Sequence, residues 1–188
     1  MEFFKQVLLK NGKQLIVRNA DEKDVCEFTV FTNKLFKETN NFARGKEDEE
    51  VTEEMQSNYI MQHKLSKNSI LLVAELNGKI VGHAHLAQKS SKIRMRHRSE
   101  FGIGILKEFW GMGIGKILMQ EIISFANVCN YEQIELVVID SNERAKNLYS
   151  NFGFEQFGIY KNTFKYKDNT YDDGVFMIKF LKDGNDKF

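Results

Sequence analysis

At 188 residues, with 27 basic and 26 acidic side chains and a net charge of +1, the chain is of a size for one α/β core and carries no overall field that would select nucleic acid or an anionic membrane. Its two cysteines, Cys26 and Cys129, lie far apart in helix-patterned segments, which argues against a disulfide framework or a metal site and predicts buried thiols in a reducing compartment. No stretch approaches about 18 apolar residues and the N-terminal apolar run is too short for a signal sequence, so a cytoplasmic protein is expected.

The first pattern is VLLK-NG-KQLIVR, two strand-like runs joined by Asn11-Gly12, which predicts a β-hairpin with φ > 0 at both turn positions. Asp21 can cap a helix whose apolar positions Val25, Phe28, Leu35 and Phe36 follow the helical period, ending near Thr39 to Asn41. Residues 42–50 read as an acidic loop and Val51 to Leu65 as a second, weaker helix. Asn77-Gly78 joins SILLVAEL to KIVGHAHL in a second hairpin, and IRMRHRSEFGIGIL implies a further strand. Ile114, Ile117, Leu118, Ile122, Phe125, Ala126 and Cys129 share one helical face. A strand IELVVI follows, then a short helix from Asn142 to Asn151 closed by Gly153 in the left-handed conformation. FEQFGIYKNTF and VFMIKFL read as paired strands. With no proline in the chain, every loop turns on Gly, Asn and Asp. No repeat or linker interrupts the order β-β-α-α-β-β-β-α-β-α-β-β, so residues 1–188 are expected to form a single domain.

The stretch FWGMGIGKILMQ places Gly111, Gly113 and Gly115 between a strand and the clearest helix. Unpaired amides and the helix dipole at such a turn suit an anion, and glycine lets that anion approach the backbone. The Walker pattern fails, because Trp110 stands where its first glycine belongs and Ile117 where its Ser or Thr belongs. The G-x-G-x-x-G fingerprint fails at Lys116, and a nucleotide hydrolase is therefore not expected.

The stretch Trp110-Gly111-Met112-Gly113-Ile114-Gly115 resembles the Q/R-x-x-G-x-G/A motif of the GNAT superfamily of N-acetyltransferases, matching both glycine positions and departing at Trp110. Aromatic variants there are familiar in the ribosomal-protein and polyamine acetyltransferase branch. Asn142-Glu-Arg-Ala-Lys-Asn-Leu-Tyr149-Ser-Asn-Phe-Gly-Phe154 resembles the family's N-x-x-A-x-x-L-Y-x-x-x-G-F block, and the order of elements from about Leu15 to Leu181 agrees. The resemblance implies an acyl-CoA N-acyltransferase fold: a mixed central sheet of about seven strands with helices on both faces. It implies acetyl-CoA as co-substrate, lying where two central parallel strands splay apart. The pantetheine would pair with backbone of Ile103 and Ile105. The pyrophosphate would rest on amides of Gly111, Met112, Gly113, Ile114, Gly115 and Lys116, and Asn142 would touch the coenzyme.

Acetyl transfer needs a neutral amine and a proton donor for the departing thiolate. By the resemblance Tyr149 approaches the sulfur as that donor, although a core tyrosine at this spacing is the plain alternative. Glu100, matching a glutamate often found on that strand in relatives, could take the amine's proton directly or through water, or simply pair with neighbouring arginines. A glutamate that some relatives carry on the next strand falls at Val137 here. His83 and His85 share one strand face and are expected as satisfied interior histidines rather than a relay or metal ligands; no metal is expected. The acidic run Glu47, Asp48, Glu49, Glu50, Glu53 and Glu54 could attract a cationic amine. Lys89, Lys92, Arg94, Arg96 and Arg98 read as a basic hairpin, three of them on one strand face, open to RNA or a phosphate but more simply a solvated edge. The expected acceptor is a small-molecule amine, such as a polyamine, or a peptide N-terminus, with no membrane partner and a homodimer open. The alternative is a non-catalytic CoA-sensing or interaction module on the same fold.

Overall fold

The computed structural model describes residues 3–181. The chain runs β1 (Phe4–Leu8), β2 (Gln14–Asn19), a short 3-10 turn (Glu22–Asp24), α1 (Val25–Glu38), α2 (Glu53–Leu65), β3 (Ile70–Leu76), β4 (Lys79–Gln88) and β5 (Arg98–Ile105). A second 3-10 turn (Lys107–Phe109), α3 (Ile114–Val128), β6 (Gln133–Ile139), α4 (Glu143–Asn151), β7 (Glu155–Lys165) and β8 (Tyr171–Phe180) complete it. All eight strands form one sheet in the order β1-β2-β3-β4-β5-β6-β8-β7. That is one strand more than the expected seven or so, because both arms of the N-terminal hairpin and both long C-terminal strands join it.

The two Asn-Gly hairpins turn differently. Asn77 and Gly78 both have positive φ, at 52° and 73°, as a two-residue hairpin requires. In the first hairpin only Gly12 does, at 78°. There the Gly12 amide bonds the Leu9 carbonyl, the Leu9 amide bonds the Lys13 carbonyl, and the Asn11 carboxamide accepts from the Lys13 amide, giving a longer turn with one left-handed glycine.

Strand alternation assigns the sheet's two faces. Leu72, Ala74, Leu86, Phe101, Ile134, Leu136 and Met177 face α3 and α4, where Ile114, Leu118, Met119, Ile122 and Tyr149 complete the larger core. Met119 is fully buried and Ile117 only partly, one step around the helix from the expected stripe. Leu71, Val73 and Ile80 face α1 and α2 against Phe28, Phe31, Leu35 and Ile60. Asp21 caps the 3-10 turn that leads into α1 rather than α1 itself, its carboxylate accepting from the Glu22 amide in a reciprocal box with Asp24. Gly153, at φ 78°, ends α4, and the Phe154 amide folds back onto the Tyr149 carbonyl.

Two expectations fail here. Cys26 is exposed and Cys129 half-buried, both as free thiols. The segment 92–97 is a turn rather than a strand, so Arg94 and Arg96 share no strand face with Arg98.

β5 and β6 are the one parallel neighbouring pair in the sheet, and they pair only from Arg98 to Glu100 against Gln133 to Glu135. Both strands run on beyond that point, and between their parted ends lies a cavity.

Candidate active site

The cavity holds about 860 Å³ and is walled by residues 101–105 of β5, the turn 109–117, Leu136 to Val138 of β6 and the inner side of α4. The Leu106 amide bonds the Val81 carbonyl across β4. In an antiparallel ladder the bonding direction alternates, so the peptide groups of Ile103 and Ile105 point away from β4 into the gap. Both isoleucines thus bring backbone donors and acceptors to the cavity. The Ile105 carbonyl already accepts a 2.7 Å bond from the Trp110 indole N–H.

The three glycines serve two purposes. Gly111 and Gly113 have φ of 80° and 87°, and a Cβ on either would meet nothing within 4 Å. Their need is the sign of φ, which folds the chain so that Gly113 opens α3 in the left-handed conformation. Gly115 is different: a Cβ there would sit 3.2 Å from Leu148 and 3.4 Å from Ile105, so the glycine lets α3 approach α4 and β5. Among the described residues, no protein acceptor takes the amides of residues 111–116, and the first turn bond is Ile117 amide to Gly113 carbonyl. Six main-chain donors without a protein acceptor therefore lie on residues that line the cavity at a helix N-terminus, with the exposed Lys116 among them.

Asn142 lines the cavity while its carboxamide oxygen caps α4 through the Ala145 amide at 3.2 Å. Tyr149 is 7% exposed, edge-on to Phe101 at 6.0 Å and beside Phe154 at 5.9 Å, and it too lines the cavity. Burial pushes its hydroxyl above the ordinary tyrosine range. Glu100 is not brought into the cavity: it is exposed at the last paired rung, opposite Ala87 and Glu135. It faces the side of α1 and α2, where its charge adds to the burial that raises the Tyr59 hydroxyl.

That face holds groups which sequence reasoning misread or missed. His83 and His85 lie over Gly104 and Gly102, whose missing Cβ atoms leave room for the rings. His83 packs edge-on to Phe28 and Phe31, and His85 to Tyr59 and His63. They are not satisfied interior histidines: Nδ1 of each, and Nε2 of His63, is buried without a partner among the described residues. Burial, with minor help from neighbouring imidazoles, lowers His83 to about 3 and His85 to about 4. Among the described residues no three His, Cys, Asp or Glu side chains are grouped to hold a metal.

Glu135 was not foreseen. It is 1% exposed, held by the Lys89 ammonium, the Arg98 guanidinium (2.8 Å to one oxygen) and the Gln133 side-chain Nε2. Burial alone would raise its carboxyl, but these donors hold it at about 2. Lys89 and Arg98 are thus committed within the sheet rather than offered to a phosphate. Trp110 carries a second unforeseen pair, with the Arg144 guanidinium 4.6 Å from its ring at the cavity mouth. Of the acidic run, Glu50 pairs with Lys37 and Asp48 accepts the Gly45 amide, while Thr39, Asn41 and Phe42 from the loop's start wall the cavity.

Residues 32–154 match the acetyltransferase (GNAT) family. An N-alpha-acetyltransferase of Sulfurisphaera tokodaii is 24% identical over 172 residues, covering 86% of this chain and 93% of the relative. The structure of an acetyltransferase from Streptococcus pneumoniae superposes with a TM-score of 0.83 at 29% identity, covering 89% of this chain and 99% of that one. The structure of yncA from Salmonella typhimurium, solved with acetyl-CoA, superposes with a TM-score of 0.80 at 20% identity over 90% of this chain and 95% of that one. No helix among the described residues is long and apolar enough to cross a membrane.

Proposed function

Because the chain belongs to the acetyltransferase (GNAT) family, we propose that it moves the acetyl group of acetyl-CoA to a primary amine by direct attack on the thioester, as one acetyltransferase domain acting in the cytoplasm. The observation that carries this reading is the set of six amides at residues 111–116 that have no acceptor among the described residues and belong to residues lining the cavity between β5 and β6. The fit to the coenzyme is good: an 860 Å³ cleft with an anion site at its mouth and two outward-facing peptide groups along its wall suits a diphosphate joined to an amide-bearing arm. Arg144 on Trp110 adds a cation at that mouth, where the family motif keeps Gln or Arg. The Salmonella structure holds acetyl-CoA in the same fold.

In the transfer a C–N bond forms to the acetyl carbon, the C–S bond breaks, the amine gives up a proton and the thiolate gains one. Tyr149 is the donor to the sulfur. With its hydroxyl lifted by burial, it stays protonated across neutral pH and hydrogen-bonds the developing thiolate, which takes its proton from solvent as the coenzyme leaves. Glu100 lies outside the cavity and receives the amine's proton through water. An α-amine of pKa near 7.8 is deprotonated at pH 7 for about 1 kcal/mol, whereas a lysine-like amine of pKa about 10.4 costs about 4.6 kcal/mol. A base held at that remove favours the α-amine over a polyamine, in keeping with the name of the Sulfurisphaera relative.

The test is thiol release from acetyl-CoA over a panel of amines, with Tyr149→Phe as the probe. The variant is expected to lose about 100-fold in kcat, with KM for acetyl-CoA changed only a few-fold. A loss below threefold removes Tyr149 from the reaction, and acetyl-CoA binding with no turnover of any amine leaves the CoA-sensing alternative standing.

A further inference from the structure

Among the described residues, the half of the sheet formed by β6, β8 and β7 leaves part of one face open to solvent. α1 and α2 pack over β3 and β4, and on their side of the sheet Val137, Phe157 and Tyr160 remain 48%, 69% and 55% exposed. Register joins these residues into one row. Val137 pairs with Phe176, and Phe176 with Gly158 at a bulge that turns Phe157 onto the same face. The Phe157 and Phe176 rings meet edge-on at 5.9 Å, and Tyr160 lies 6.1 Å from Phe176. A contiguous exposed aromatic surface of this kind is a recognition feature in a protein that must stay soluble.

Its position says what it recognises. Val137 is also a wall of the cavity, so the aromatic row begins where the acyl group must meet its acceptor. Adjacent strands stand about 4.8 Å apart, so a nitrogen at the β5–β6 gap sets its own substituent over Phe176 and Phe157. The electron-rich face of Phe176 already carries the Lys89 ammonium at 5.4 Å. What the row has left to offer is apolar area rather than a second cation site.

We propose that Val137, Phe176, Phe157 and Tyr160 form the acceptor subsite, and that the acceptor is an α-amine whose α-carbon bears a large apolar or aromatic side chain. This rests on the acetyltransferase reading above. The transfer is unchanged: the α-nitrogen bonds the acetyl carbon, the C–S bond breaks and the coenzyme leaves as its thiol. Both a free amino acid and a peptide N-terminus present this chemistry.

The experiment measures kcat/KM by thiol release for phenylalanine, phenylalanylglycine, glycine, glycylglycine and spermidine, after calorimetry has established acetyl-CoA binding. Either phenylalanyl acceptor is expected to exceed its glycyl counterpart by at least about tenfold, and the arm showing the preference identifies the source. Phe157→Ala and Tyr160→Ala, both at exposed positions, are each expected to cut that ratio several-fold. Turnover with equal ratios, a preference for spermidine, or ratios unmoved in both variants overturns the subsite while leaving the acetyltransferase reading intact. A wild-type dimer in light scattering that both variants convert to monomer also overturns it, by assigning the row to self-association. Binding of acetyl-CoA with no turnover at all instead brings down the function on which it rests.

Discussion

His83 and His85 occupy a chemically unusual position: two imidazoles seated on glycines of the adjacent strand, flanked by His63 and Tyr59 of α2 and by Phe28 and Phe31 of α1, with Glu100 at the rim. Their folded values of about 3 and 4 stand below the ordinary 6.5 because burial penalises the charged ring. As pH falls below about 6.5 the unfolded chain takes up these protons first, so the native state loses its advantage through the window from about 6.5 to 4. Each histidine contributes a slope of about 1.4 kcal/mol per pH unit there. His83→Phe, whose ring would join Phe28 and Phe31, is expected to flatten that slope by one histidine's worth. Urea midpoints at pH 7 and pH 5 for both proteins measure it, and an equal loss in both would remove His83 as a source.

At the scale of elements, the β5–α3 turn divides its glycines by cause, and substitution separates them. Gly113→Ala forces a Cβ into φ 87° with open space around it, which costs about 1–2 kcal/mol of stability and shifts the amides proposed to hold the coenzyme. Acetyl-CoA affinity by calorimetry is expected to fall at least several-fold. Gly115→Ala instead presses on Leu148 at 3.2 Å, so its effect should appear in the urea midpoint more than in coenzyme affinity. This turn was legible in the sequence because its signal is local: permissive residues, a strand before and a helical stripe after. The hairpin at Asn77-Gly78 and the helix end at Gly153 were legible for the same reason. Arg98 and Lys89 were not. Each looked like a free cation on an edge, since the carboxylate that claims both lies on β6 and joins them only when the sheet closes. The Trp110–Arg144 stack and the row Val137–Phe176–Phe157 likewise join distant segments, and no periodicity along the chain records which side chains meet across strands.

For the molecule as a whole, the consequence of parted central strands is that β1–β5 and β6–β8–β7 are two half-sheets joined by a ladder of three residue pairs. The cleft exists because that ladder is short, and something must keep it from opening further. Glu135 sits in its last rung, opposite Glu100, and ties β6 to Arg98 of β5 and to Lys89 just beyond β4. Removing this carboxylate would leave two cations facing an uncharged partner at the seam, and breaking a buried ion pair of this kind costs about 3–5 kcal/mol. Glu135→Gln keeps the volume and loses the charge, so it isolates the electrostatic part. It is expected to lower stability by about 3 kcal/mol and to raise amide exchange first along β5 and β6, ahead of β3 and α3. The pH dependence has a definite sign: with a folded value of about 2 against an ordinary 4.5, the carboxylate's contribution is complete above about pH 4.5 and fades toward pH 2. This acid limb lies below that of the histidines, and the Gln variant should lack it. Amide exchange that rises uniformly over the sheet, or an acid limb unchanged by the substitution, would show that the half-sheets are held by their apolar faces alone.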